Sequence, residues 1–162
     1  EGCSMKKLFL LSTLIAFSVP ALADFNCNGS IKNRTIDDNV KVHKQCVLDH
    51  VTIKGNLMLH SNSHTAIKNS TIDGNLESKG NFSQVNAHAN RIDGNIQLED
   101  GRNIQLTSNR VNGNIQLKDN SGSIVVKNNR VNGNLECEDN RVKPTGGTNR
   151  VSSDKEDQCR HL

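Results

Sequence analysis

The chain has 162 residues, 33% of them apolar, with no Trp or Tyr, four Phe, a formal charge of +3 and a mean hydropathy of -0.60. So little apolar and aromatic material argues against a large enzyme and rules out a multi-span membrane protein, and the length allows about one domain. The composition borders on disorder, but Pro occurs only twice, and a repeating architecture builds a thin core from few large side chains.

Residues 1–4 precede Met5 and are read as upstream of the natural start. Lys6 and Lys7 then form a positive region, Leu8 to Val19 is almost unbroken apolar sequence, and Ala21-Leu22-Ala23 matches a small-x-small cleavage site. This order predicts a Sec signal peptide over 5–23, cleaved after Ala23. The apolar run ends at Pro20 and is shorter than the about 20 residues that a transmembrane helix needs. Asp24 follows the site, where a lipoprotein would have Cys. The exported chain is then 24–162, secreted or periplasmic, with no membrane span. Without Lys6, Lys7 and Glu1 it carries 18 basic and 16 acidic residues, too even a balance for a nucleic-acid partner.

Four cysteines remain, Cys27, Cys46, Cys137 and Cys159, two near each end. The export route permits disulfides. Of the three connectivities, Cys27–Cys46 with Cys137–Cys159 is favoured, because each bond closes a short loop at one terminus. No C-x-x-C spacing supports a metal site instead.

A repeat organises the rest. Ile72-Asp73-Gly74-Asn75-Leu76 recurs as Ile92-Asp93-Gly94-Asn95-Ile96, Val111-Asn112-Gly113-Asn114-Ile115 and Val131-Asn132-Gly133-Asn134-Leu135. Looser copies begin at Ile36 and Ile53, and a degraded one at Val151. The glycines at 55, 74, 94, 113 and 133 are 19 or 20 residues apart. With the first Ile or Val of each copy as position 0, apolar residues alternate at +4 and +6 (Ile96 and Leu98, Ile115 and Leu117) and at -7 and -5 (Ile104 and Leu106, Ile124 and Val126). Period-2 alternation in short runs separated by Gly and Asn means three strands per repeat. The predicted fold is all-β: a single-stranded parallel β-helix of six to seven coils, about 30 Å long at about 4.8 Å per coil. Gly at +2 is expected to supply a positive φ at a corner, and Asn56, Asn75, Asn95, Asn114 and Asn134 at +3 to stack as an amide ladder. Cys46 and Cys137 fall on inward columns at the two ends, so the disulfides read as staples for 24–162, each contributing about 3 kcal/mol in the chain-entropy account.

The C-terminal stretch Gly133-Asn134-Leu135-Glu136-Cys137-Glu138-Asp139-Asn140, with Pro144-Thr145-Gly146-Gly147 and Lys155-Glu156-Asp157-Gln158-Cys159, resembles the signature of a group of small secreted bacterial proteins with right-handed parallel β-helix repeats. The resemblance implies that fold, its right hand and a secreted bacterial life, and brings no catalytic residue or cofactor. Asp24 to His50 depart from the pattern.

Three surface features are candidates for function. The first is the -1 column, which reads Thr35, Thr52, Thr71 and then Arg91, Arg110, Arg130 and Arg150: a basic strip suited to an anionic polymer such as a cell-surface polysaccharide. Next come Asp73 and Asp93, stacked at +1 in adjacent coils, the pair that a minimal polysaccharide lyase or hydrolase, or its remnant, would use for acid–base work. No aromatic platform accompanies them. His43 and His60 share +7 in neighbouring coils, with His64 close in sequence; they are weak candidates for a metal, since a fourth ligand is not evident. The leading expectation is a non-enzymatic structural or binding protein with no cofactor; rods of this kind can also self-associate. Lys79, Glu99, Lys118 and Glu138 alternate in sign at +7, a pattern that favours one register.

Overall fold

In the computed structural model, residues 24–162 are described; the signal peptide expected over 5–23 and the upstream residues 1–4 lie outside them. The described chain is all-β and forms a right-handed solenoid of about seven turns. One coil consists of Gln84–His88, Arg91–Ile92 and Ile96–Glu99, and the next of Asn103–Thr107, Arg110–Val111 and Ile115–Lys118. Each strand pairs in parallel with its equivalent one coil away, in the register of the repeat: Ile104 beside Val85, Val111 beside Ile92, Ile115 beside Ile96. The N-terminal coils are more regular than their sequence suggests. Phe25–Ile36 and Val40–Ile53 run round their corners as long strands, paired throughout except for one shift between Cys27 and Gly29.

The alternating columns form the core. Val40, Leu57, Leu76, Ile96, Ile115 and Leu135 at +4 are all buried, as are Ile53, Ile72, Ile92, Val111 and Val131 at position 0. Both expected disulfides are present, Cys27–Cys46 and Cys137–Cys159, with all four cysteines buried in the core cluster.

The corners differ from the expectation in one respect. Gly74, Gly94, Gly113 and Gly133 do not have positive φ. Glycine is required because a Cβ at Gly94 would lie 2.3 Å from Asn75 Oδ1 and 2.6 Å from Gly74 O of the preceding coil. The left-handed residues are instead non-glycines at -3 (Asn69, Ala89, Ser108, Asn128) and at +8 (Asp100, Asp119, Asp139), with φ between 50 and 58°. The +3 ladder exists but is bonded side chain to backbone: Asn75 N donates to Asn56 Oδ1 at 2.8 Å, and Asn95 N to Asn75 Oδ1 at 2.8 Å.

A second set of asparagines, not anticipated, follows each left-handed corner and is buried. Asn90, Asn109, Asn129 and Asn149 at -2 form one ladder. Asn109 Nδ2 donates to Ala87 O (2.9 Å) and Asn129 Oδ1 (3.1 Å), while Asn109 Oδ1 accepts from Asn90 N (3.0 Å) and Asn90 Nδ2 (3.1 Å). A shorter ladder runs from Asn120 through Asn140 to Gln158, whose Nε2 turns back to Asn140 O at 2.8 Å and closes the C-terminal end. Its N-terminal continuation is blocked by a fully buried Phe82: the ring fills the space a Cβ at Gly101 would need, 2.0 Å away.

Candidate functional site

The short strand that carries position 0 fixes the -1 side chain outward, so one column of the repeat becomes one line on the surface. Arg91, Arg110, Arg130 and Arg150 are direct partners in successive coils, and all four are exposed. Coil pairing spaces their α-carbons at about 4.8 Å. Arg91 is neutralised by Asp93, Nη2 to Oδ1 at 2.6 Å. Among the described residues, Arg110, Arg130 and Arg150 have no carboxylate within ion-pair distance. An open depression of about 530 Å³ lies over the last two rungs, lined by Asn128, Asn129, Arg130, Thr148, Asn149 and Arg150. Guanidinium groups beside amide and hydroxyl groups can donate to a carboxylate or sulfate while ordering neighbouring hydroxyls of a sugar chain.

Asp73 and Asp93 also stand where the repeat places them, but each is engaged. Asp73 Oδ2 lies 3.2 Å from Lys54 Nζ, in the coil below. Asp93 Oδ1 receives both Arg91 and Asn112 Nδ2, the latter at 2.8 Å, and Asn132 Nδ2 continues the row to Asn112 Oδ1 at 3.3 Å. The column is a flat, hydrogen-bonded row of side chains about a third exposed at its two acids.

His43 and His60 stack, with ring centroids 4.1 Å apart. His64 is not brought to them: it sits on the following strand, paired with Gln45 and Gln84. His60 Nε2 is buried and makes no hydrogen bond. Burial, then the neighbouring His43, Lys41 and Lys79, hold the His60 pKa below its ordinary value of 6.5. These surroundings disfavour any added cation. Among the described residues, no three His, Cys, Asp or Glu side chains gather as a metal-binding group.

On the +7 column, Lys118 Nζ bonds Glu138 Oε2 at 3.1 Å and lies in register with Glu99, whereas Lys79 turns to Glu77 of its own strand at 3.1 Å. The hydrogen bond from Lys118 to Glu138, and their mutual attraction, raise the Lys118 pKa. Sign alternation thus produces one cross-coil pair at the C-terminal end and not a continuous ladder.

No protein-family model matches the chain, and no curated protein or solved structure matches it. Among the described residues, no helix is long and apolar enough to cross a membrane.

Proposed function

We propose that this is a secreted, non-enzymatic β-helix protein of bacterial type whose Arg110–Arg130–Arg150 strip binds an anionic polymer, foremost a cell-surface polysaccharide. One observation carries the reading: three exposed, unpaired guanidinium groups share a rigid line at coil spacing. The paired coils already hold the backbone of the strip in line, so binding has to order only the arginine side chains. Support for export comes from the sequence over 5–23, which has the order expected of a signal peptide, and from two disulfides of the kind that persist in oxidising compartments.

A glycoside hydrolase needs two acids free to exchange protons across a bound sugar, and a lyase that used this pair would need one of them free as a base. The engagement of Asp73 by Lys54, and of Asp93 by Arg91 and Asn112, speaks against that assignment.

The test is a glycan array probed with the exported protein and with Arg110→Ala/Arg130→Ala. The parent is expected to retain acidic glycans, weakening as salt screens the exposed charges, and the double variant to lose most of that binding. A double variant that binds every glycan as the parent does removes the strip from the function.

A further inference from the structure

The strip has a counterpart on the same coils. Asp100, Asp119 and Asp139 stand at +8, nine residues after Arg91, Arg110 and Arg130. All three are exposed, and among the described residues none has a cation within ion-pair distance. Backbone bonds from Asp100 N to Lys118 O and from Asp119 N to Glu138 O keep them in step. Glu99 and Glu138 precede Asp100 and Asp139, and the intervening Lys118 is held by Glu138; Arg102 and Arg141 follow two residues later without pairing to the aspartates.

Left-handed geometry does not by itself demand these aspartates. The other left-handed corner, at -3, carries Asn, His, Ala, Ser and Thr across seven coils and never a carboxylate. Asn would satisfy the same backbone without charge. Like charges on adjacent strands destabilise one another, so a stack of aspartates on one corner and of arginines on another both burden an isolated rod. Lys118 lies near enough to attract Asp119 and Asp139 but pairs with neither; a second rod lying alongside supplies each stack with paired charges of the opposite sign. The pitch is then automatically matched, because both ladders rise by one coil per rung.

We propose that the Asp100–Asp119–Asp139 ladder of one copy docks on the Arg110–Arg130–Arg150 strip of the next, so that the intrinsic occupant of the strip is a second copy of this chain, displaced by an anionic polysaccharide. The displacement rests on the function proposed above; the contact between rods does not. Strip and ladder occupy different corners of one rod, so the contact is heterologous and leaves a free strip and a free ladder on the outer rods. Association continues past two copies unless it closes into a ring.

Sedimentation velocity of the exported protein at about 10 mM and about 1 M salt, where charges are screened over about 30 and 3 Å, tests this. The parent is expected to sediment as more than a monomer at low salt and as a monomer at high salt. Asp119→Asn/Asp139→Asn, which keeps residues that tolerate the left-handed corner, is expected to need about tenfold more protein to associate, since each exposed ion pair contributes about 1.4- to 5-fold. Its melting temperature checks that the fold is unchanged. At low salt it is also expected to bind polygalacturonate, the anionic probe, more tightly than the parent, because fewer strips are covered by a second copy, while Arg110→Ala/Arg130→Ala loses both properties. Exchanging the charges within one chain (Arg110→Asp, Arg130→Asp, Asp119→Arg, Asp139→Arg) restores association. A parent that stays monomeric at low salt, or an Asp variant that associates as tightly as the parent, overturns the proposal. Should association follow this pattern while no form binds polygalacturonate, the rod contact stands and the polysaccharide reading fails.

Discussion

From Asn90 onward the -2 corner is held by buried asparagines, whereas the coils before it place Val51 and Ser70 there; the other corner passes from Ser63 and Phe82 to Gly101 and then to Asn120 and Asn140. In the C-terminal coils every buried amide both donates and accepts across coils, so each rung supplies the partner of the next. In the N-terminal coils, by contrast, His60 Nε2, Ser63 Oγ and Thr65 Oγ1 are buried without a hydrogen bond. A solenoid can close its corners with a propagating polar ladder or with an apolar plug and a disulfide. The ladder holds only while it is unbroken, because a missing rung strands two neighbours.

That contrast can be broken most severely within the ladder. Asn109→Ala removes the acceptor of Asn90 N and Nδ2 and the donor to Ala87 O and Asn129 Oδ1. Asn90 Nδ2 keeps Ile67 O and Asn129 Oδ1 keeps the backbone Asn109 N, so two groups, Asn90 N and Ala87 O, lose a partner, and at about 1–3 kcal/mol each the expected loss is about 4 kcal/mol. Ser70→Ala, at the same corner two coils earlier, removes only a donor to Lys68 O and an acceptor for Val51 N, and is expected to cost about 1–2 kcal/mol. Urea titration of both decides the matter; equal costs would dissolve the distinction between the halves.

Next in size is the plug. Phe82→Ala is expected to cost about 3–4 kcal/mol by leaving a cavity. Phe82→Asn/Gly101→Asn should recover at least half of that, because Gly101 N already donates to Asn120 Oδ1 at 2.9 Å and the new amides extend that ladder. If the double variant is less stable than Phe82→Ala, the column is not equivalent along its length. Replacing Cys27 and Cys46 by Ser should cost about 3 kcal/mol in the loop-closure account. Hydrogen exchange is expected to report the change in 25–53 and to leave the Asn109 coil protected.

The smallest effect expected is the pH dependence of the histidine stack. The folded pKa of His60 is depressed, so between the folded value and 6.5 the unfolded chain binds more protons than the folded one. Stability therefore rises with pH through this window. The contribution is fully present above 6.5 and is lost as pH falls through the lower folded value. Thermal melts between about pH 5 and 7.5 should show this slope, which His60→Gln should flatten. An unchanged slope would place the titrating group elsewhere.

Much of this was legible in the residues. The Gly-Asn motif gave the coil period, the alternation gave three strands per coil with their inward columns, and the ends gave both cysteine pairs. The buried -2 ladder was missed although Asn precedes every Arg of the strip, at Asn90, Asn109, Asn129 and Asn149. Polar residues next to a strand read as loop, and only the coil stacking reveals that their amides have partners inside. Gly74, Gly94, Gly113 and Gly133 were found for the wrong reason: they answer to an asparagine side chain of the coil below, 18 or 19 residues away. Among the functional candidates, the arginine column was readable as a strip, but which of its members is free was not. Arg91 is removed from it by Asp93, a contact that depends on side-chain direction.

Sequence alone determined the coil, because period-2 alternation and a 19–20-residue spacing admit few other ways to bury so thin an aliphatic set. It also determined which residues share a line on the surface, since in a solenoid sequence period and spatial column are one property. The tertiary structure decided what those lines are worth. Whether an amide is buried and satisfied, a carboxylate free or paired, or a guanidinium left open depends on neighbours a coil away. Those distances, 2.3 Å from a Cβ at Gly94 to Asn75 Oδ1 or 2.6 Å from Arg91 to the Asp93 carboxylate, are set by packing and not by spacing.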